Sequence, residues 1–170
     1  FDGNQNTPYK EDDQMNPINY YGASKMMAEE SLRHELPWHV ILRISSVFSQ
    51  YQNNIMTKAI DMINNHDELK FVTDILSPPT PAPAVADAII HIAKKLLSGK
   101  VDGYGTFHYC GAPAVSRYEY TNAIMEAYAP YTDRRPTIGK AKREDFNTLA
   151  RRPAYSLMDC SKIERVYGLT

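Results

Sequence analysis

Apolar residues recur along this chain in two rhythms. In "NNIMTKAIDMINN", Ile55, Ala59, Ile60 and Ile63 line one stripe at helical spacing, and "AVADAIIHIAKKLL" repeats the pattern through Val85, Ile89, Ile92 and Leu96 until Gly99 stops it. From about Ile18 to Glu35 there is no proline, and Ala, Met, Glu, Lys and Leu dominate, so a helix is expected there, closed by Pro37. Three short runs, "HVILRI" (39–44), "LKFVT" (69–73) and "GTFHYC" (105–110), are expected as strands. A run that is apolar throughout belongs in a parallel sheet covered on both faces. Ser116 and Glu119 in "SRYE" have the spacing of a capping box, which opens a helix to about Ala129. Residues 1–17 and "SPPTPAP" (77–83) are expected to be irregular, because proline removes backbone donors. The stretch after Ala129 is expected to be loop-rich until Asp159 caps a last helix in "CSKIERVYG". Helices alternating with strands make the class α/β.

Composition narrows the function classes. A net charge of −1 over 170 residues, with a pI near 6.6, offers no electrostatic case for nucleic acid or an anionic membrane. No apolar run approaches the length of a bilayer span. Five histidines lack ligand spacing, so no metal is expected. Cys110 and Cys160 lie without metal-like spacing and read as reduced thiols of a cytoplasmic protein; they pair only if the fold brings them together. The chain starts at Phe1 in a turn-like "FDGN" and stops at Thr170 just after a helix, so a piece of a longer protein is expected.

The candidate chemistry lies in "NPINYYGASK" (16–25). Tyr21 and Lys25 are four apart and share a helical face, whereas Tyr20 points away from it. A free phenol titrates at about 10, and a nearby ammonium favours the phenolate. Such a phenol exchanges protons with a carbonyl oxygen as hydride reaches the carbon. The lysine's donors also suit ribose hydroxyls. The plainer alternative is a packed ring beside a solvated ammonium. Gly22, Ala23 and Ser24 tilt the balance, since small residues let a flat cofactor approach.

With these segments in order, the chain resembles the dTDP-4-dehydrorhamnose reductase family of the extended short-chain dehydrogenase/reductases. The resemblance runs through "PYKEDDQMNPINYYGASKMMAEE", "LRISSVF" (42–48), "NN" (53–54), "VTDILSPPTPAPAVADAI" (72–89), "GTFHYCG" (105–111) and "ARRPAYSLMDCSKI" (150–163). It implies NADPH- or NADH-dependent reduction of the 4-keto group of dTDP-4-dehydro-L-rhamnose, with Tyr21 and Lys25 catalytic and also at the cofactor. It further implies cofactor contacts from Arg43, Ser45 and Ser46, and substrate contacts from Ser46, Asn53, Asn54, Thr80 and Arg152. For the two asparagines, helix capping is nearly as good an account; for Arg152, an ordinary surface charge is the alternative. The implied fold is a Rossmann-like doubly wound sheet, lacking its N-terminal half, with a smaller α/β substrate lobe. Residues 1–49 and 70–99 would complete the cofactor domain, and 50–69 and 100–170 the sugar-nucleotide lobe. The expected partner is a dTDP-sugar, in the cytoplasm, and a homodimer stays open.

Departures fall in the pocket. Ser46 stands where the family often has tryptophan, "DILSPP" replaces a glycine step, and near Arg117 an aromatic is common, for which Tyr118 is the neighbour. No Gly-x-Gly-x-x-Gly occurs, since "GKVDGYG" (99–105) has the wrong spacing, and the upstream Ser/Thr is missing. The 170 residues alone are therefore expected to be inactive. A non-catalytic subunit resembling the methionine adenosyltransferase β subunit, and a sugar-nucleotide epimerase, stay open as alternatives.

Overall fold

The computed structural model describes residues 1–99 and 102–170. Helix α1 (Tyr20–Glu35) starts two residues later than Ile18, because Asn19 caps it by accepting a hydrogen bond from the Gly22 amide at 2.8 Å. Strand β1 (Val40–Arg43) follows, then a two-residue strand β2 (Val47–Phe48) and helix α2 (Ile55–Asn65). Next come β3 (Glu68–Val72), the short strands β4 (Leu76–Ser77) and β5 (Thr80–Pro81), and helix α3 (Ala82–Leu97). Beyond them lie β6 (Gly105–His108), β7 (Val115–Ser116), helix α4 (Arg117–Tyr128) with a 3-10 turn at Ala129–Tyr131, β8 (Thr137–Ala141) and helix α5 (Ser161–Tyr167).

Three pairings are parallel: β1 with β6, β2 with β5, and β3 with β8; β4 and β7 pair antiparallel. Two cores result. Around β1 and β6, Ile92, Phe107, Ile163 and Tyr167 bury against one another. Around β3 and β8, Ala59, Ile63, Leu69 and Ile124 do the same. Each fully buried isoleucine in these clusters stabilises by about 1.5–3 kcal/mol.

Several expectations need correction. "SPPTPAP" is not irregular: Ser77 ends β4, Thr80 and Pro81 form β5, and α3 already begins at Ala82 with Pro83 in its first turn. Proline is tolerated in both places, because those amides need no partner inside the element. Ile89 is 54% exposed, and Ala88 takes the inward position between Val85 and Ile92. The region after Ala129 contains β8, held in register on β3 from Glu68↔Thr137 to Val72↔Ala141. The capping box at Ser116 and Glu119 forms as expected. Asp159 accepts a hydrogen bond at 2.8 Å from the amide of Ser161, the first residue of α5, but Cys160 and not Asp159 holds the N-cap position.

The pairing also groups segments differently from the expected division. β6, assigned to the sugar lobe, belongs beside β1, and β3, assigned mostly to the cofactor domain, belongs beside β8. Lys100, where one boundary was expected, lies outside the described residues. No helix among the described residues is long and apolar enough to cross a membrane.

Candidate functional site

Asn19 builds the site from the start of α1. While its Oδ1 caps the helix, its Nδ2 donates to the Arg151 carbonyl at 2.8 Å. That bond seats the first turn of α1 beside the Arg151–Arg152 segment. On this turn Tyr21 is 73% exposed, and the Lys25 ammonium lies 5.6 Å from its ring centroid. Tyr and Lys therefore share a face open to a ligand, and Tyr20 is fully exposed beside them. Gly22 has a local reason as well as a functional one: a Cβ there would lie 3.1 Å from the Pro17 Cβ.

The next wall is the turn after β1. Ser46 has φ +41°, a left-handed conformation that costs a serine strain, and such strain gathers at functional sites. Its hydroxyl donates to Ser77 Oγ at 2.8 Å, and its carbonyl accepts from the Thr80 amide at 3.2 Å. Ser45 is partly exposed next to it. Thr80 differs from expectation. It is 1% exposed, and its hydroxyl is taken up by the Gly111 amide at 3.2 Å and the Pro78 carbonyl at 3.4 Å. Thr80 is therefore held inside the wall by its own hydrogen bonds.

Leu76 connects this wall to the arginines. Its amide donates to the Ala154 carbonyl at 2.7 Å, its carbonyl accepts from Ser156, and β4 pairs it with Ser116. Arg152 thus leaves one side of the same strand region and Arg117, the first residue of α4, the other. Burial lowers the Arg117 pKa, and the nearby Arg152 charge lowers it further. Neither arginine has an ion-pair partner among the described residues. Close by, the Tyr120 hydroxyl is buried without a hydrogen-bond partner, and burial pushes its pKa up to about 12. Two neighbouring cations without a carboxylate, one of them on the first turn of a helix, form a setting that favours an anion. Sequence reasoning passed over Arg117 by looking for an aromatic there. The signal was an arginine on a helix's first turn, where the dipole prefers negative charge.

The two asparagines part company. Asn54 caps α2: its Oδ1 accepts from the Met56 and Thr57 amides, and its Nδ2 donates to the carbonyls of Ser49, Tyr51 and Gln52. Every polar atom of that amide is in use, whereas Asn53 beside it is exposed.

Arg43, expected at the cofactor, has its donors taken up by protein partners. Its Nε donates to both Glu29 carboxylate oxygens (2.9 and 3.1 Å), its Nη2 to Glu29 (2.8 Å), and its Nη1 lies 3.2 Å from His108 Nε2. The fork is committed to fastening α1 onto β1 and β6. Because arginine only donates, His108 Nε2 must accept, so Nδ1 carries the proton and donates to the Tyr9 carbonyl at 3.0 Å. His108 is fully buried, and burial lowers its pKa; the Glu11 charge opposes this and the Arg43 charge adds to it. Below about pH 6.5 the unfolded chain takes up a proton that the folded His108 refuses. Stability should therefore fall as pH drops through that range. His108→Gln, which keeps a donor and an acceptor, should flatten the slope in urea midpoints measured from pH 7.5 downward.

Among the described residues no group of three or more His, Cys, Asp or Glu side chains is arranged to hold a metal ion.

The sequence profile of the RmlD substrate binding domain matches residues 1–170. A dTDP-4-dehydrorhamnose reductase from Aggregatibacter actinomycetemcomitans is 36% identical over 99% of this chain, which corresponds to 58% of that enzyme. The crystal structure of a dTDP-4-dehydrorhamnose reductase from Clostridium acetobutylicum superposes with a TM-score of 0.86 at 27% identity, covering 97% of this chain and 55% of that one. One from Bacillus anthracis, in complex with NADP, gives 0.84 at 26% identity, with 97% and 55% covered. The chain therefore spans little more than half the length of the relatives it matches.

Proposed function

Because this chain belongs to the RmlD substrate binding domain family, we propose that it is the sugar-nucleotide-binding and proton-donating part of a cytoplasmic dTDP-4-dehydrorhamnose reductase. The reaction is reduction of the 4-keto group of dTDP-4-dehydro-L-rhamnose to dTDP-L-rhamnose, using NADPH or NADH. The observation that supports this most is the Asn19–Arg151 hydrogen bond, which joins the Tyr21/Lys25 turn to the arginine segment. A proton donor and an anion-binding group then address opposite ends of one sugar nucleotide.

The residues present fit one end of the cofactor. The open face of Tyr21 and Lys25, with small residues between them, suits a nicotinamide and its ribose, whereas the sequence has no glycine-rich turn for the diphosphate. When bound, the nicotinamide supplies the hydride that reaches C4 of the sugar. Tyr21 donates its hydroxyl proton to the C4 oxygen. Lys25 lies over the tyrosine ring and offers its donors to the ribose hydroxyls. Arg152 and Arg117 bind the diphosphate of the sugar nucleotide, fixing the keto group's distance from Tyr21. Ser45, Ser46 and Asn53 line the sugar between these ends. A regulatory-subunit or epimerase role is the weaker account, since the relatives described above are reductases.

The test is oxidation of NADPH by the full-length protein given dTDP-4-dehydro-L-rhamnose, with Arg152→Ala beside it. The expected result is turnover, with KM raised about 10–100-fold in the variant for the loss of one charge-assisted contact. Absence of turnover with cofactor bound would move the assignment to a binding subunit. An unchanged KM would remove Arg152 from the diphosphate site.

A further inference from the structure

The two cysteines stand 50 residues apart in sequence, yet the fold brings their sulfurs to 3.7 Å. Cys110 leaves the end of β6 one residue beyond Tyr109, and Cys160 immediately precedes α5. Both thiols are free and partly exposed. Both also lie near the Met158 carbonyl, at 3.7 and 3.8 Å, so one acceptor draws the two side chains to the same point. A disulfide needs the sulfurs to close from that contact distance to about 2.05 Å.

We propose that Cys110 and Cys160 form a redox modification site, in which a hydroperoxide converts the thiol pair into a reversible intramolecular disulfide. The step balances as follows. The Cys110 thiolate attacks one oxygen of hydrogen peroxide, the O–O bond breaks, and hydroxide leaves to become water. Cys110 is then a sulfenic acid. The Cys160 sulfur attacks the Cys110 sulfur, the S–O bond breaks, and the departing hydroxide takes up the Cys160 proton as a second water. Two thiols lose two electrons, and one peroxide gains them. The order of attack follows from the surroundings. The hydrogen bond from Cys160 holds the Cys110 pKa down to about 7, whereas Cys160 is pushed up by the same contact and by burial. Cys110 is the attacking thiolate and Cys160 the resolving thiol.

The pair sits where a small movement reaches the cleft wall. Gly111 follows Cys110, and its amide donates to Thr80, whose own amide bonds to Ser46. A Cβ at Gly111 would lie 2.1 Å from the Pro79 carbonyl oxygen, so this backbone is wedged against β5.

The experiment treats the reduced full-length protein with hydrogen peroxide and maps the thiols by peptide mass spectrometry, with Cys160→Ser in parallel and dimedone present. The expected result is loss of both free thiols in one monomer, a peptide pair joined through Cys110 and Cys160, and full recovery with dithiothreitol. In Cys160→Ser, dimedone should mark Cys110. Two reduced thiols after treatment, an intermolecular cross-link, or over-oxidised Cys110 with Cys160 intact would each overturn the proposal. These readouts are masses and thiol counts, so they stand whether or not the protein reduces a keto sugar.

Discussion

Tyr21→Phe in the full-length protein should lower kcat for reduction of the keto sugar by about 10²–10⁴-fold, the usual contribution of a positioned general acid. The substitution removes one hydroxyl and nothing else that the fold uses. Tyr21 is largely exposed and the ring that faces Lys25 is retained, so the urea midpoint and KM should stay near those of the parent protein. That combination separates lost chemistry from lost structure. Turnover within threefold of the parent would show that another group delivers the proton, and the assignment of Tyr21 would have to be abandoned.

Glu29→Ala should cost the chain about 3 kcal/mol of stability, as expected when one partner of a buried ion pair is removed. Arg43 is 11% exposed and directs three donor contacts at this carboxylate, so the deletion leaves a charge that water reaches poorly. Arg33, which also binds Glu29, is 31% exposed and can turn to solvent at little cost. Burial by itself raises the Glu29 pKa; hydrogen bonds and charge from Arg43 and then Arg33 outweigh it, so the net shift is downward. A depressed carboxyl stabilises the fold at neutral pH, and that contribution is lost as pH falls through its folded value. The alanine variant should accordingly show a lower urea midpoint at pH 7, with the difference shrinking in acid. Equal midpoints at pH 7 would mean that Arg43 finds a replacement partner.

How much of this was legible in the sequence depended on how local each cause was. The capping box joins Ser116 and Glu119, three apart, and forms as its spacing implies. The stripe of α2 was readable for the same reason. Strand β8, "TIGKA", could not be read. Gly139 interrupts it, and its strand character comes from alignment with β3 rather than from its own residues. The two-residue strands around Ser77 and Thr80 have no periodicity to read. The shared face of Tyr21 and Lys25 was readable because one helical turn joins them. The ion pair of Arg43 could not be read, because its partners, Glu29 and His108, lie 14 and 65 residues away. Asn54 was ambiguous in sequence, and five hydrogen bonds resolve it in favour of the cap.

The two longer ladders have a consequence for how the chain is made. Arg43 of β1 meets His108 across 65 residues, and Thr73, just past β3, meets Ala141 across 68. Neither ladder contains a hairpin that could zip up early, and loop closure must come before any of its hydrogen bonds forms. Folding should therefore be slow. On the ribosome, β1 and β3 emerge well before β6 and β8, and an edge left unpaired in that interval invites association between nascent chains. Synthesis that stalls before β8 would release a polypeptide in which β3 lacks that partner.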